Sequence, residues 1–101
     1  MVQRIYVYKE DSDIPEAVIV RDKENRLAGV KSKDKSFEYM LNNIFNVIKE
    51  IPFFFCEGGK VYESSVGIYD DMFFEALKQV LYPTYRTSEP QNVDAKFEDL
   101  L

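Results

Sequence analysis

The order of patterns along this chain predicts an α+β fold: a two-layer sandwich of about five mostly antiparallel strands covered by two helices, in the order β-β-β-α-β-β-α with a C-terminal tail. Three observations carry that expectation. Short β-branched and aromatic runs lie close enough together to form local hairpins. Two longer segments repeat apolar residues at helical spacing, and each is followed by proline. Hydrophobic residues make up 46% of the 101 positions, enough for one self-sufficient core.

Arg4-Ile5-Tyr6-Val7-Tyr8 alternates and reads as the first strand, ended by acidic residues and Pro15. Ala17-Val18-Ile19-Val20 is uniformly apolar, as expected of a strand paired centrally or covered on both faces. The charged stretch Asp22 to Arg26 makes a turn, and Leu27 to Lys31 returns as the third strand, where Gly29 marks a bulge or a close backbone approach. Ser36 is the expected N-cap of the first helix. Phe37, Met40, Leu41, Ile44, Phe45, Val47, Ile48 and Ile51 then form one stripe, and Pro52 is expected to stop the helix. Phe53 to Cys56 reads as a buried strand, Gly58-Gly59 as a turn tolerant of positive φ, and Val61 to Ile68 as the returning strand with Tyr62, Ser64, Val66 and Ile68 towards the core. The second helix opens at Asp70-Asp71, and its apolar arc of Met72, Phe73, Phe74, Ala76, Leu77, Val80 and Leu81 is wider than a surface helix needs. Residues 1–83 are therefore expected to form one domain. Residues 84–101 read as a polar linker and a short amphipathic segment whose Val93, Phe97, Leu100 and Leu101 recur at i, i+4, i+7 and i+8.

Composition excludes whole classes of chemistry. With no histidine there is no Ser-His-Asp triad, no Cys-His dyad, no histidine-ligated zinc and no imidazole pH switch. The single cysteine cannot form an intramolecular disulfide, and Cys56, following three phenylalanines, reads as a core thiol. No apolar run approaches the ~20 residues of a membrane span, and the N-terminal residues contain no signal-peptide core. A soluble, cytoplasmic protein without a cofactor is the expectation.

Glu57-Gly58-Gly59-Lys60 lacks the spacing and strand-to-helix setting of a phosphate loop and reads as a plain turn. Asp70, Asp71 and Glu75, with Glu57 or Glu63, supply oxygen ligands for a divalent cation, although N-capping and a solvated face explain them as well.

Charge is unevenly spread. The whole formal charge of −5 lies in residues 52–101, while residues 21–35 carry six cations against three carboxylates, 6 − 3 = +3. Within that island Arg21, Arg26, Lys31, Lys33 and Lys35 form a candidate phosphate-contacting patch, with Tyr6 or Tyr8 available for stacking. The polar face of the first helix, with Tyr39, Asn42, Asn43 and Asn46, is poor in charge and contains an aromatic ring, as interfaces do. The leading functional expectation is a non-catalytic protein-protein interaction module that forms a homodimer. Its contacts would use Tyr39, Asn42 and Asn46, the surplus arc at Met72 and Phe74, and Phe97, Leu100 and Leu101 of the tail, which also suits docking to another protein. Nucleic-acid binding through the island is the first alternative, and a carboxylate-metal enzyme using Asp70, Asp71 and Glu75 the second.

Overall fold

The protein, described by a computed structural model over residues 1–101, is α+β. Strands β1 (Val2–Lys9), β2 (Ala17–Asp22) and β3 (Leu27–Ser32) form an antiparallel meander, with Ile5 opposite Ile19 and Ile19 opposite Val30. Because side chains alternate across a strand, Ile5, Val7, Ala17, Ile19 and Val30 share the inner face, where they join the core. Helices α1 (Lys35–Asn43) and α2 (Phe73–Leu81) contribute Phe37, Leu41, Phe73, Ala76, Leu77 and Leu81 to that core. A separate hairpin of β4 (Glu50–Glu57) and β5 (Lys60–Gly67) packs its base on α2.

Residues 84–93 are not a linker. β6 (Tyr85–Thr87) and β7 (Gln91–Val93) both pair antiparallel with the free edge of β1, giving a sheet ordered β3-β2-β1-β6 with β7 further along β1. Between them the chain bulges through Ser88. Its N–H donates to the Tyr6 carbonyl at 2.9 Å, and its hydroxyl oxygen accepts from the Tyr6 N–H at 2.9 Å. An edge made of two three-residue pieces tolerates Pro90, which is why a strand lies inside a stretch with loop composition.

The first helix differs from expectation at both ends. Its N-cap is Asp34, not Ser36: the Asp34 carboxylate accepts from the N–H groups of Ser36 and Phe37. The helix loosens after Asn43 into a π-helical turn over Ile44–Ile48, closed by the Lys49 N–H on the Ile44 carbonyl at 2.7 Å. Lys49 then takes a left-handed conformation at φ 66°. Two β-branched residues, Val47 and Ile48, weaken that last turn. Pro52 acts through its neighbour, because a residue before proline avoids helical ψ and Ile51 is thereby driven into extended backbone. Ile51 is buried as part of β4, while Val47, Ile48 and Met40 lie exposed outside the stripe assigned to them.

Gly58 and Gly59 turn the second hairpin at φ 58° and 78°, the paired positive angles of a two-residue I′ turn. The burial expected along it holds only at its base. Ile51, Val66 and the adjoining Ile68 are buried, but Phe54, Phe55, Cys56, Tyr62 and Ser64 are exposed. Cys56 is a surface thiol because the hairpin projects beyond the helices that would cover it. The total surface of 6476 Å² exceeds the ~5,900 Å² expected for this mass, in keeping with a projecting element.

The tail ends in a single turn, α3 (Phe97–Leu100), which packs against β2 on the outer face of the sheet. Gly29 is the close approach anticipated from the sequence: a Cβ there would lie 2.6 Å from Leu101 Cδ1 and 3.2 Å from Phe97 Cζ. No helix is long and apolar enough to cross a membrane.

Candidate functional site

The basic island divides when folded. Arg21 shares the inner face with Ala17 and Ile19, so its guanidinium points into the molecule and is only 2% exposed. It donates to the carbonyls of Ile68 at 2.9 Å and Asp70 at 2.8 Å and to the Gln3 side chain, and lies 4.3 Å from the Phe74 ring centroid. Burial pulls its pKa below the ordinary arginine value, partly countered by the nearby charges of Asp71 and Asp70. Arg21 is therefore a structural clamp holding the β5–α2 connection to the sheet, not a phosphate contact. Arg26 sits over the Tyr69 ring at 4.5 Å. Lys35 pairs with Glu38 at 3.3 Å.

Lys31 and Lys33 remain exposed and unpaired by carboxylates, although the Lys31 ammonium donates to the Leu101 carbonyl at 3.4 Å. Cross-strand register places Tyr6, Val18 and Lys31 in one row on the outer face. Beside that row is an open cleft of about 290 Å³ lined by Tyr6, Pro15, Val18, Lys31 and Lys33, with Glu16. The sequence offers these lysines as a patch with Tyr6 or Tyr8 as the stacking ring, without their relative placement. What joins them is the parity of β2, concealed by a run apolar on both faces.

The expected interface residues are also redistributed. Phe74 is buried against Arg21, and the wide arc of α2 is used up by the sheet on one side and the hairpin base on the other, leaving Met72 and Val80 partly exposed. Phe97, Leu100 and Leu101 are half-buried on the chain's own sheet. Tyr39 and Asn46 are exposed and Asn42 half-buried, so that face of α1 and its π-helical turn is open.

A group of exposed apolar side chains lies where the sequence suggested a buried strand. Phe54, Phe55, Val61 and Tyr62 of the hairpin, with Val47 and Ile48 beside its base, are between 38% and 70% exposed. Phe53, Phe55 and Tyr62 form a stacked ladder, with centroids 6.2 Å and 5.6 Å apart. Ile48 joins Pro52, Glu63, Ser64 and Ser65 in lining a groove of about 460 Å³. A signal was available: in hairpin register the phenylalanines face Tyr62, Glu63 and Ser64, a partner strand too polar for a strand covered on both faces.

The two edges of the hairpin differ. The Gln79 side chain accepts from the Phe54 N–H at 2.9 Å and donates to the Phe54 carbonyl at 2.7 Å, capping the outer edge of β4. Phe54 therefore points its main-chain groups away from β5, and its partner Glu63 points them away from β4; by alternation Val61 and Ser65 do the same. No strand pairs with that edge of β5.

Asp70 accepts from the Met72 N–H at 2.9 Å, and Asp71 is bound to the Lys23 ammonium. No three Asp, Glu or Cys side chains are brought together in the geometry of a metal site, and Glu75 joins neither pair.

Three carboxylates have pKa values below the ordinary range. Asp22 is lowered chiefly by the Asn25 side-chain amide, Glu38 by the Ser32 N–H and then Lys35, and Asp71 by Lys23. A carboxylate depressed on folding contributes stability above its unfolded pKa of ~4, and that contribution is lost as pH falls through the folded value. Urea midpoints are accordingly expected to start falling below about pH 5 and to continue falling below pH 4, less steeply in Glu38→Gln. A midpoint independent of pH between 6 and 3 would refute this linkage.

Neither a family model, nor a curated protein, nor a solved structure matches this chain.

Proposed function

We propose that the protein is a non-catalytic interaction module that self-associates, and that the β4–β5 hairpin is its contact. The observation that carries this reading is the combination of an unpaired β5 edge with exposed Phe54, Phe55, Val61 and Tyr62 on the same hairpin. A two-stranded hairpin is marginal alone, and an exposed edge flanked by apolar side chains is a template for another strand. Pairing of two β5 strands around a two-fold axis converts two hairpins into one four-stranded sheet and covers both edges at once. Antiparallel pairing centred on Glu63 would oppose two carboxylates, whereas centring it on Tyr62 or Ser64 avoids that repulsion. Ile48 and its groove lie alongside and extend the apolar contact.

Light scattering over about 1–100 μM is expected to show a dimer, the ordinary affinity range for a modest interface. Val61→Lys introduces charge at a site already 69% exposed, and is expected to shift the protein to monomer without altering its fold. Ser65→Pro removes an outward N–H from the edge and is expected to do the same. A monomer at 100 μM, or a dimer indifferent to both substitutions, would sink the proposal.

A further inference from the structure

The outer face of the main sheet carries a second, independent site: we infer that the cleft beside Tyr6 and Val18, with Arg4, Lys31 and Lys33 around it, binds a short segment of single-stranded nucleic acid. The inference rests on a juxtaposition made by folding. Residues far apart in sequence come into one row, Ser88–Tyr6–Val18–Lys31, through the pairing of β1 with β2, β2 with β3, and Tyr6 with Ser88. Two residue pairs further along, on the same face, Tyr8 lies beside Arg86, whose guanidinium is 4.5 Å from the ring centroid. The guanidinium of Arg4 lies 5.2 Å from the Tyr6 ring, and Arg4 also reaches Gln91 at 3.1 Å.

This arrangement supplies the two things a single strand requires. Tyr6, Tyr8 and the guanidinium planes of Arg4 and Arg86 offer flat surfaces on which bases stack irrespective of sequence. Arg4 and Lys33 form no ion pair within the chain and Lys31 is bound only to the Leu101 oxygen at 3.4 Å, so all three can turn to phosphates, whereas Arg86 is held by Asp13 at 3.3 Å. With Glu16 also lining the cleft, the local balance is 3 − 1 = +2 in a protein whose total is −5. The cleft, at about 290 Å³, sits at the small end of ligand-pocket sizes and admits one planar ring over Val18 and Pro15. α3 closes the face beyond Gly29, and the loop with Glu10, Asp11 and Asp13 borders the other end. A strand crossing between those limits meets cations, while the second backbone of a duplex would meet carboxylates.

Fluorescence anisotropy with a labelled eight-nucleotide oligo(dU) in about 20 mM salt tests the assignment. Binding is expected, and log K should fall against log salt with a slope near −2, from about 0.7 per phosphate contact and three cations. Lys31→Glu/Lys33→Glu, and Lys33→Glu alone (which leaves the Lys31–Leu101 contact intact), should weaken binding by about tenfold or more in the first case and several-fold in the second. Tyr6→Leu should also cost about tenfold, as expected for loss of a stacked base. Lys60→Glu, at the hairpin tip, should leave affinity within about twofold, with circular dichroism confirming the fold of every variant. Absence of binding at 20 mM salt overturns the inference. So does equal weakening by Lys60→Glu, which indicates diffuse attraction, or competition by uridine monophosphate at concentrations equal to the oligonucleotide, which indicates a mononucleotide site.

Discussion

Arg21→Ala is expected to lower the unfolding free energy by about 3–5 kcal/mol, a third or more of what a small domain has. The guanidinium donates to two main-chain carbonyls, Ile68 and Asp70, in the connection that leads from β5 into α2. Hydrogen bonds from a charged donor contribute about 1.5–3 kcal/mol each, and their loss leaves acceptors facing the space the side chain vacated. That space is walled by Phe73 and Phe74, so alanine also opens a cavity in the core. An opposing effect is present: burial disfavours the charge, and Nε has no partner. Two comparison variants separate these contributions. Arg21→Met keeps most of the volume and removes the charge and the donors, so it should cost about 1–3 kcal/mol. Arg21→Lys keeps the charge but not the fork, and should fall between wild type and alanine. The chain has no tryptophan, so the measurement is urea unfolding followed by circular dichroism. A methionine variant as stable as wild type would show that desolvation outweighs the clamp and would refute the structural role given to Arg21.

The same residue shows where sequence reading ends. Alternation in Arg4 to Tyr8 identifies the inner face of β1 directly, and Ile5 and Val7 are in the core as that pattern requires. β2 offers no such contrast. With Ala17 to Val20 all apolar, the side on which Arg21 falls depends on register with β1, and that register is set by pairing across the sheet. One position of parity turns Arg21 from a surface cation into a buried clamp, while Lys31 on the neighbouring strand and Lys33 just past its end stay outside. The fold class and the second hairpin's turn are legible because they depend on local chemistry, two glycines at positive φ and helical spacing, whereas the cap of the first helix falls on Asp34 and not on Ser36. The edge strands β6 and β7 are not legible, since three-residue pieces carry too little pattern and are held by the unpaired groups of β1. The exposed hairpin departs from the sequence expectation for a related reason. Phe53-Phe54-Phe55 has the composition of a buried strand, but burial is decided by what lies over it, and the helices reach only its base. The wide arc of α2 is covered within the chain, and the element whose covering is incomplete is the hairpin.

Gly29→Val is expected to detach the tail. Any side chain at this position places a Cβ 2.6 Å from Leu101 Cδ1 and 3.2 Å from Phe97 Cζ. The first contact is with the far end of a flexible side chain, which can rotate away. The second is with the tip of the Phe97 ring, which must give by a few tenths of an ångström. Gly29→Ala should therefore be mild, below about 1 kcal/mol, because the cost of moving Leu101 is offset by removing glycine's excess backbone freedom from a strand. Valine adds two γ carbons on the same face and leaves neither Leu101 nor Phe97 a place, at an expected cost of about 1–3 kcal/mol. α3 is a single turn, too short to persist without its docking surface. Its loss would uncover Val20, which is fully buried on the outer face of the sheet although no long helix lies there. Hydrogen exchange resolves this outcome from global destabilisation. Protection over residues 97–101 should vanish in Gly29→Val while the amides of β1 and β2 keep slow exchange, because local opening and global unfolding are distinct events. Retained protection over 97–101 in the valine variant would mean that the tail is held by something other than Gly29, and that the missing side chain is not what allows it to dock.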